Sequence, residues 1–158
     1  YVCNVDEKSI LEGNKFTKNL SESIKENIIL ISAEIESQIS SLSSADQTEY
    51  LESLGLKQSG LNKIIKSGYQ TLSLITYFTS GEQETRAWTV TSGSKAPDAA
   101  GKIHSDFQSG FIRAETISYD DFVECDGEIK AKELGKMRSE GKEYVVQDGD
   151  VMHFLFNN

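Results

Sequence analysis

Two polar stretches follow apolar segments that read as strands, and their side chains could hold a ligand. Asn4 and Glu7 follow the apolar residues at the start of the chain, and Ser32 and Ala33 follow the run "IILI". Open α/β sheets bind ligands at the carboxyl ends of their strands. The amide, carboxylate and hydroxyl groups at these positions could therefore hold a ligand, although a solvated loop with a helix-starting acidic residue also explains Asn4 to Glu7.

The histidines and cysteines form no recognisable catalytic or metal-binding set. His104 and Asp106 lie two residues apart in a predicted helix, where their side chains would diverge by roughly 200°. We therefore interpret them as exposed or capping residues. Cys3 and Cys125 are distant in sequence, lack a metal-ligand pattern around them and are predicted to be reduced thiols. With His153 as the only other histidine, no metal site is expected.

The composition is acidic and restricts the class of partner. The chain has 16 Lys and Arg against 25 Asp and Glu, a formal net charge of −9. Non-specific binding to duplex nucleic acid needs clustered cations, so this composition argues against it and any partner contact must use a local patch. The sequence contains no apolar run long enough for a membrane span, and it shows no secretory signal pattern.

The N-terminal residues predict a strand, a helix and a second strand. Phe16, Leu20 and Ile24 recur every four residues and predict a helix over 14–25. A strand on either side makes this a βαβ unit with parallel strands. Because an isolated pair of strands is not stable, the pattern indicates one edge of a larger sheet.

A helical connector is predicted next. Ser44 and Gln47 have the spacing of a capping box, and Gly55 is placed to end that helix. The following helix has an apolar face, which consists of Leu61, Ile64, Ile65, Tyr69 and Leu72.

The remaining residues predict a small α+β domain. A hairpin in "LSLITYFTSGEQETRAWTV" precedes a helix from Pro97 to Gly110. The strand "GFIRAETISY" and the short helix "EIKAKELGKMRSEG" follow. Two last strands, "KEYVV" and "VMHFLF", are joined by a turn at Asp148 and Gly149. One sheet wrapped around one helix is a β-grasp, or ubiquitin-like, arrangement.

Three stretches resemble the TGS domain, a small β-grasp module, of the YchF and Obg-like ATPase family of TRAFAC P-loop proteins. They are "LITYFTSGEQETRAWTV", "KAPDAAGKIHSDFQSGFIRAETISYDDF" and "AKELGKMRSEGKEYVVQDGDVMHFLFN". The start of the chain resembles the last part of the same family's nucleotide-binding domain. The resemblance implies a remnant of the P-loop domain in 1–37, the helical connector in 38–71 and the TGS domain in 72–158.

The resemblance also implies a nucleotide site. Asn4-Val5-Asp6-Glu7 matches the N-x-x-E pattern that this family has in place of N-K-x-D, whose Asp accepts hydrogen bonds from guanine N1 and N2. The expected preference is therefore ATP over GTP, with Mg²⁺ in the full-length protein, and the residues expected to contact the base are Asn4, Val5, Glu7, Ser32 and Ala33. The sequence has no G-x-x-x-x-G-K-[ST] loop, so we expect an inactive C-terminal fragment of a longer ATPase.

The partner that the resemblance implies is the ribosome or its RNA, reached through the TGS domain of a cytoplasmic, monomeric protein with no membrane contact. The candidate contacts are the cations Lys95, Lys102, Arg113, Lys136, Arg138 and Lys142, although a solvated face interleaved with glutamates also explains the last three. An alternative hypothesis is a free-standing ubiquitin-like regulatory module without nucleotide chemistry. A third, weaker one is a self-contained hydrolase.

Overall fold

The computed structural model describes residues 1–81 and 83–157, and the chain divides into the units Tyr1–Gln70 and Thr71–Asn158. Each unit has a hydrophobic core of its own. In the described ranges, no helix combines the length and the apolar character that crossing a bilayer requires. The molecule is a mixed α+β protein, as predicted.

The N-terminal unit begins with the predicted βαβ arrangement. Its elements are β1 (Val2–Asn4), a 3-10 turn (Glu7–Ser9), α1 (Lys15–Ser23), β2 (Ile29–Ile31), α2 (Ala33–Ser40), α3 (Ser44–Ser53) and α4 (Gly60–Thr71). β1 and β2 pair in parallel, with Asn4 opposite Ile31, which confirms the predicted direction. The core of this unit consists of Val5, Ile10, Ile35, Ile39 and Leu56.

A carboxylate on α2 holds the start of α4. Glu36 accepts hydrogen bonds from the backbone N–H groups of Gly60 at 2.6 Å and Leu61 at 3.2 Å. These N–H groups have no partner inside the helix, and a negative charge is favourable at a helix N-terminus. Gly60 leaves room for this contact, because a Cβ there would stand 2.8 Å from the Ile31 Cγ2 atom and 2.9 Å from Glu36 Oε1.

The predicted cap of α3 is wrong by one residue. Ser43 is the N-cap, and its Oγ accepts from the Asp46 N–H at 3.4 Å, so Ser44 and Gln47 do not form the capping box. The extended backbone of Ser43 suits the cap, whereas Ser44 is already helical. Gly55 follows the helix with a φ of +71°, so its predicted role in ending the helix is confirmed.

Several apolar side chains on the predicted helical faces are exposed. Phe16 is 70% exposed, Leu61 is 56% exposed and Ile65 is 48% exposed. The spacing correctly places such residues on helices, but it shows only that they share a face. Whether that face is covered depends on tertiary packing, which periodicity does not contain.

The C-terminal unit is built around a mixed sheet. Its elements are β3 (Leu74–Ser80), β4 (Thr85–Thr91), α5 (Ala96–Ile103), α6 (Ser105–Ser109), β5 (Phe111–Ser118), α7 (Tyr119–Glu124), α8 (Glu128–Glu133), β6 (Arg138–Glu140) and β7 (Asp150–Phe156). The described strands lie in the order β4-β3-β7-β5-β6. β3 and β4 form the predicted antiparallel hairpin, β3 and β7 are parallel, and β5 is antiparallel to β6 and β7.

Tyr77 lies at the centre of the C-terminal core. Its side chain is fully buried, its hydroxyl donates to the Ala99 carbonyl at 2.8 Å, and its ring meets the edge of Phe154 with centroids 6.0 Å apart. Ala96, Ala99 and Ala100 on α5 are also fully buried. Their small side chains let the helix approach the sheet closely, so the phenol can reach a helix carbonyl.

A turn at Asp148 and Gly149 connects the start of β7 to β3. The Thr76 N–H donates to the Asp148 Oδ1 at 2.8 Å, and the Gly149 N–H donates to the Thr76 carbonyl at 2.8 Å. Gly149 has a φ of +84°, which favours glycine. The predicted turn is confirmed, and the aspartate side chain takes the place of a backbone acceptor in the pairing.

The helix predicted from Pro97 to Gly110 is interrupted at His104. His104 has an extended backbone, with φ −159° and ψ 145°, and its Nδ1 accepts from the Asp106 N–H at 3.2 Å. The prediction that the two side chains diverge is wrong, since His104 Nδ1 lies 3.4 Å from Asp106 Oδ2. The interpretation of His104 as a capping residue is confirmed.

The segment "EIKAKELGKMRSEG" is only partly helical. α8 ends near Gly135, whose φ of +70° stops the helix, and Arg138 belongs to strand β6. "KEYVV" does not form a strand; Val145 makes an isolated bridge to Lys95. Helix α7, which directly follows β5, was not predicted.

Two tyrosines with raised pKa values, the buried Tyr77 and the half-buried Tyr144, predict a loss of stability in alkali. Burial raises the pKa of Tyr77, and burial together with Asp150 raises the pKa of Tyr144 from 10.0 to about 12. The unfolded chain releases these protons near pH 10, whereas the folded protein keeps them. The stabilisation is therefore complete below about pH 10 and is lost as the pH rises toward the folded pKa values, by about 1.4 kcal/mol per pH unit for Tyr77.

Urea unfolding at several pH values below and above pH 10 measures how steeply the free energy of unfolding falls with pH. Tyr77→Phe removes the corresponding titration, so the free energy of unfolding of this variant should fall less steeply in alkali than that of the unchanged protein. Equal slopes for the two proteins would contradict the assignment to Tyr77.

Candidate functional site

The structure brings Asn4 and Ala33 together at one edge of the β1–β2 pair. Asn4 is the last residue of β1, and Ala33 lies two residues after the end of its partner strand. The Asn4 Oδ1 accepts from the Ala33 N–H at 2.9 Å. Because the donor is a backbone N–H, the atom that accepts this bond must be the oxygen of the Asn4 amide and not its nitrogen. The Nδ2 group therefore keeps two N–H donors for a ligand.

Two other predicted site residues are already engaged within the fold. Ser32 is 2% exposed, and its hydroxyl caps α2 by accepting from the Ile35 N–H at 3.5 Å. Val5 is buried, and its N–H donates to the Ile31 carbonyl at 2.8 Å. Both residues fix the loop geometry, and Ala33 is exposed beside them.

The neighbouring acidic residues, Asp6 and Glu7, have different environments. The Asp6 Oδ1 accepts from the Ser9 N–H at 2.9 Å, and hydrogen bonding to Ser9 lowers the pKa of Asp6. Asp6 therefore caps the 3-10 turn. Glu7 is the first residue of that turn and is exposed. Over residues 1–81 and 83–157, no three His, Cys, Asp or Glu side chains are grouped to hold a metal ion.

Most of the candidate RNA-contacting cations are paired with carboxylates. The pairs are Lys95 with Glu143 at 2.6 Å, Arg113 with Glu115 at 3.6 Å, Lys136 with Asp121 at 3.0 Å, and Arg138 with Glu140 at 3.1 Å. Glu143 raises the pKa of Lys95, and Asp121 raises the pKa of Lys136. Lys102 and Lys142 have no ion pair within 4.0 Å in the part of the chain that the structure describes, so they are the cations most available to a phosphate.

Sequence reasoning missed a buried aspartate that organises this surface. Asp150 is 3% exposed and accepts from the Tyr144 hydroxyl at 2.7 Å, the Gln147 N–H at 2.9 Å and Arg138 Nη2 at 3.5 Å. Arg138 is therefore part of the structure that holds the loop before β7. The sequence places an aspartate on each side of Gly149, which marks a turn. It does not indicate which of the two aspartates is buried.

Comparison with known proteins agrees with this architecture. Residues 74–157 match the family model YchF-GTPase_C, described as "Protein of unknown function (DUF933)". The chain is 52% identical over 162 residues to the Ribosome-binding ATPase YchF of Bacillus subtilis (strain 168), and 49% identical over 160 residues to that of Escherichia coli O157:H7. Each alignment covers 99% of this chain and 44% of the relative, so the chain spans less than half the length of these relatives.

Solved structures show the same relationship. The Schizosaccharomyces pombe YchF GTPase superposes with a TM-score of 0.85 at 35% identity, over 98% of this chain and 42% of that one. A GTP binding protein from Pyrococcus horikoshii OT3 superposes with a TM-score of 0.64 at 18% identity, over 99% and 45%, which shows a shared fold alone. The predicted family is confirmed: this chain belongs to the YchF family, as a member of YchF-GTPase_C.

Proposed function

We propose that this chain is the C-terminal part of a cytoplasmic, monomeric, ribosome-binding ATPase of the YchF type. Relatives with that name align with 99% of its length. In this proposal, 1–37 form the base-binding edge of a P-loop domain, 38–71 a helical connector and 72–158 a TGS domain of the β-grasp type. The parallel β1–α1–β2 unit and the sheet packed on α5 support this division.

The observation that carries the nucleotide function is the bond between Asn4 and Ala33. It fixes the Asn4 amide at the carboxyl ends of two parallel strands, where such sheets bind ligands. The remaining Nδ2 donors suit the N7 acceptor of a purine. Since adenine and guanine both carry this acceptor, Asn4 selects purines without distinguishing between them.

The preference for adenine rests on the acidic residues that follow. In the N-K-x-D pattern, the last carboxylate accepts from guanine N1 and N2. Here Asp6 stands one position earlier, and its carboxylate is bound to Ser9. Glu7 occupies the last position with one more methylene and an exposed side chain. Guanine then loses a rigid acceptor, and a site that does not pair a polar edge does not favour it.

In this proposal, parts of the parent protein outside this chain bind the nucleotide phosphates and Mg²⁺. The sequence of this chain has no phosphate-binding G-x-x-x-x-G-K-[ST] loop, and phosphoryl transfer depends on positioning and neutralising the phosphates. The donors of Asn4 fit a base, so we assign this chain the base contact. When bound, the nucleotide would supply the phosphoanhydride bond that water cleaves, and residues outside this chain would hold its phosphates.

Asn4→Ala tests the base contact in the full-length protein. Losing a hydrogen bond to the base, together with the support of the Ala33 loop, should weaken ATP binding about tenfold. GTP binding should weaken by the same factor, because the N7 acceptor is common to both bases. Titration with a fluorescent ATP analogue, and competition with unlabelled ATP and GTP, measures both.

Asn19→Ala is the matched control, since Asn19 lies exposed on α1 in the same unit. It should leave the Kd unchanged. An unchanged Kd for the Asn4 variant, or an equal loss in the control, would refute the assignment.

Ribosome binding is tested best at the unpaired cations. Replacing Lys102 and Lys142 with Glu should reduce co-sedimentation of the full-length protein with ribosomes about fivefold at moderate salt, because phosphate contacts are electrostatic. Arg138 is left unchanged, since its loss would disturb the buried Asp150.

The control replaces Lys18 and Lys57, two exposed lysines of the N-terminal unit, with Glu and so makes the same change in net charge. It should retain binding. Equal losses in the two variants would indicate a general charge effect, and unchanged binding in the first would remove Lys102 and Lys142 from the interface.

A further inference from the structure

An aromatic groove of about 610 Å³ opens at the far end of the β3–β4 hairpin. Its apolar walls come from Trp88 on β4, Ile103 and Phe107 on the two helices, and Phe156 on β7. The Phe107 and Phe156 rings stack with centroids 3.9 Å apart, and the Trp88 indole N–H donates to Thr79 Oγ1 at 2.9 Å. These rings are half-buried, so a fixed apolar surface faces the solvent.

The groove follows the edge of β7. Met152, His153 and Phe154 all line it. Successive residues of a strand point to opposite faces of the sheet, so a groove that touches three in a row must run along the strand's edge. On the other edge, β7 pairs with β5 along its whole length.

Over the described residues, the edge that faces the groove is without a partner strand along the second half of β7. The register between β3 and β7 consists of one pair, Phe78 with Val151. Because the two strands are parallel, the position two residues further along each one places Ser80, the last residue of β3, beside His153. Among the described residues, no strand lies next to 154–156 on this side. The backbone N–H and C=O groups of an unpaired edge are a template for a further strand.

Two features of the site together select one class of occupant. The open edge requires alternating backbone donors and acceptors at the spacing of a strand, which an extended polypeptide has. The aromatic walls require an apolar side chain. A small planar molecule would satisfy the walls and leave the edge to water, and a nucleic acid has no regular row of amide groups.

We propose that this groove binds an extended peptide segment of a partner protein. The segment adds a short strand of roughly four residues beside the second half of β7. It places one apolar side chain between Trp88 and Phe107, and its alternate side chains face away from the groove. The nucleotide site plays no part in this interaction, so the two can be tested separately.

The test uses the 158-residue chain and a phage library of random octapeptides. Selected peptides should share one apolar residue within a stretch that can be extended. A synthetic copy of one, titrated into ¹⁵N-labelled protein, should shift the amide signals of 152–156 and slow the hydrogen exchange of those amides that point to the groove and not to β5. A copy with alternate amides N-methylated keeps its side chains but loses strand pairing, and should bind at least about tenfold more weakly. Methylation changes only the peptide, so this comparison does not depend on how a protein variant folds.

A variant pair locates the site independently. Phe107→Ala should weaken the peptide about tenfold or more, as expected for an aromatic anchor. Ile129→Ala, which shortens a side chain that is 77% exposed on α8, should not change binding. Four outcomes would each overturn the proposal: no enrichment of peptides, shifts away from 152–156, equal binding of the N-methylated peptide, or the same shifts produced by an eight-nucleotide RNA and not by peptides.

Discussion

Replacing Tyr77 with alanine should destabilise the C-terminal unit by about 4 kcal/mol, the range for removing a buried aromatic ring from a core. Tyr77 is fully buried and contacts both the helix and the sheet, through the Ala99 carbonyl and the Phe154 ring. The close approach of α5 leaves little freedom for the surroundings to collapse into the cavity. Tyr77→Phe keeps the ring and loses one hydrogen bond, so it should cost only about 1 kcal/mol.

The chain provides its own probe for this measurement. Trp88 is the only tryptophan and pairs directly with Tyr77 across the hairpin, so its fluorescence reports unfolding of the C-terminal unit. Urea titrations of the unchanged protein and both variants give the free energies of unfolding. Tyr119→Ala, at a tyrosine that is 52% exposed, is the control and should cost less than about 1 kcal/mol. If Tyr77→Ala lowered the free energy of unfolding by no more than Tyr119→Ala does, the core would tolerate the cavity and the prediction would be wrong.

Replacing Asp150 with alanine should destabilise the same unit by about 3 kcal/mol. The loss leaves the Gln147 N–H and the Tyr144 hydroxyl without their acceptor, and it leaves Arg138 without its buried partner. Polar groups left unsatisfied in a partly buried site cost more than the net value of the bonds they formed. The loop before β7 should therefore loosen first, which faster hydrogen exchange at Gln147 would show.

Two further variants separate charge from hydrogen bonding at this position. Asp150→Asn keeps an acceptor for the Tyr144 hydroxyl and should lose less stability than the alanine variant. Glu140→Ala removes the half-buried partner of Arg138 and should cost about 1 kcal/mol, less than the loss of the buried Asp150. Spectroscopic titration of Tyr144 adds an independent check, because removing Asp150 removes one cause of its raised pKa. An unchanged pKa together with unchanged stability would contradict the role of Asp150.

The strands and helices that local signals define were predictable from the sequence. The spacing of Phe16 and Leu20 predicted α1, and Gly55 and the Asp148–Gly149 pair correctly marked a helix end and a turn. These features depend on backbone conformation within a few residues, which composition and spacing report directly. The mixed α+β class followed from their order.

The errors had two sources: nearby residues that competed for one local role, and contacts between residues that are distant in the sequence. Ser43 and Ser44 are both acceptable caps, and the choice depends on which one stays extended. His104 ended a helix that its neighbours would have continued. Arg138 was predicted in a helix, because its pairing opposite Thr116 on β5 is a long-range contact that no local pattern contains.

The candidate site was predictable in position but not in detail. The sequence predicted that polar residues lie at two adjacent strand ends, and the structure gives Asn4 and Ala33 a direct bond there. It could not show that Ser32 is turned inward or that Asp6 is held by Ser9. Nor could it show that most of the six candidate RNA-contacting cations are paired with carboxylates, because ion pairing depends on which surfaces meet in three dimensions.

The turn at Asp148 and Gly149, which precedes β7 and is hydrogen-bonded to β3, also affects how the chain ages chemically. In an Asp-Gly sequence, the glycine nitrogen can attack the side-chain carboxyl carbon of the aspartate with loss of water. Hydrolysis of the resulting succinimide gives largely isoaspartate, which lengthens the main chain by one carbon. In this fold, the Gly149 N–H and the Asp148 carboxylate are both bound to Thr76, at 2.8 Å each. The attacking nitrogen and the carboxyl group that it attacks are thus held in place. Isomerisation of this bond therefore requires the hydrogen bonds between the turn and Thr76 to break first.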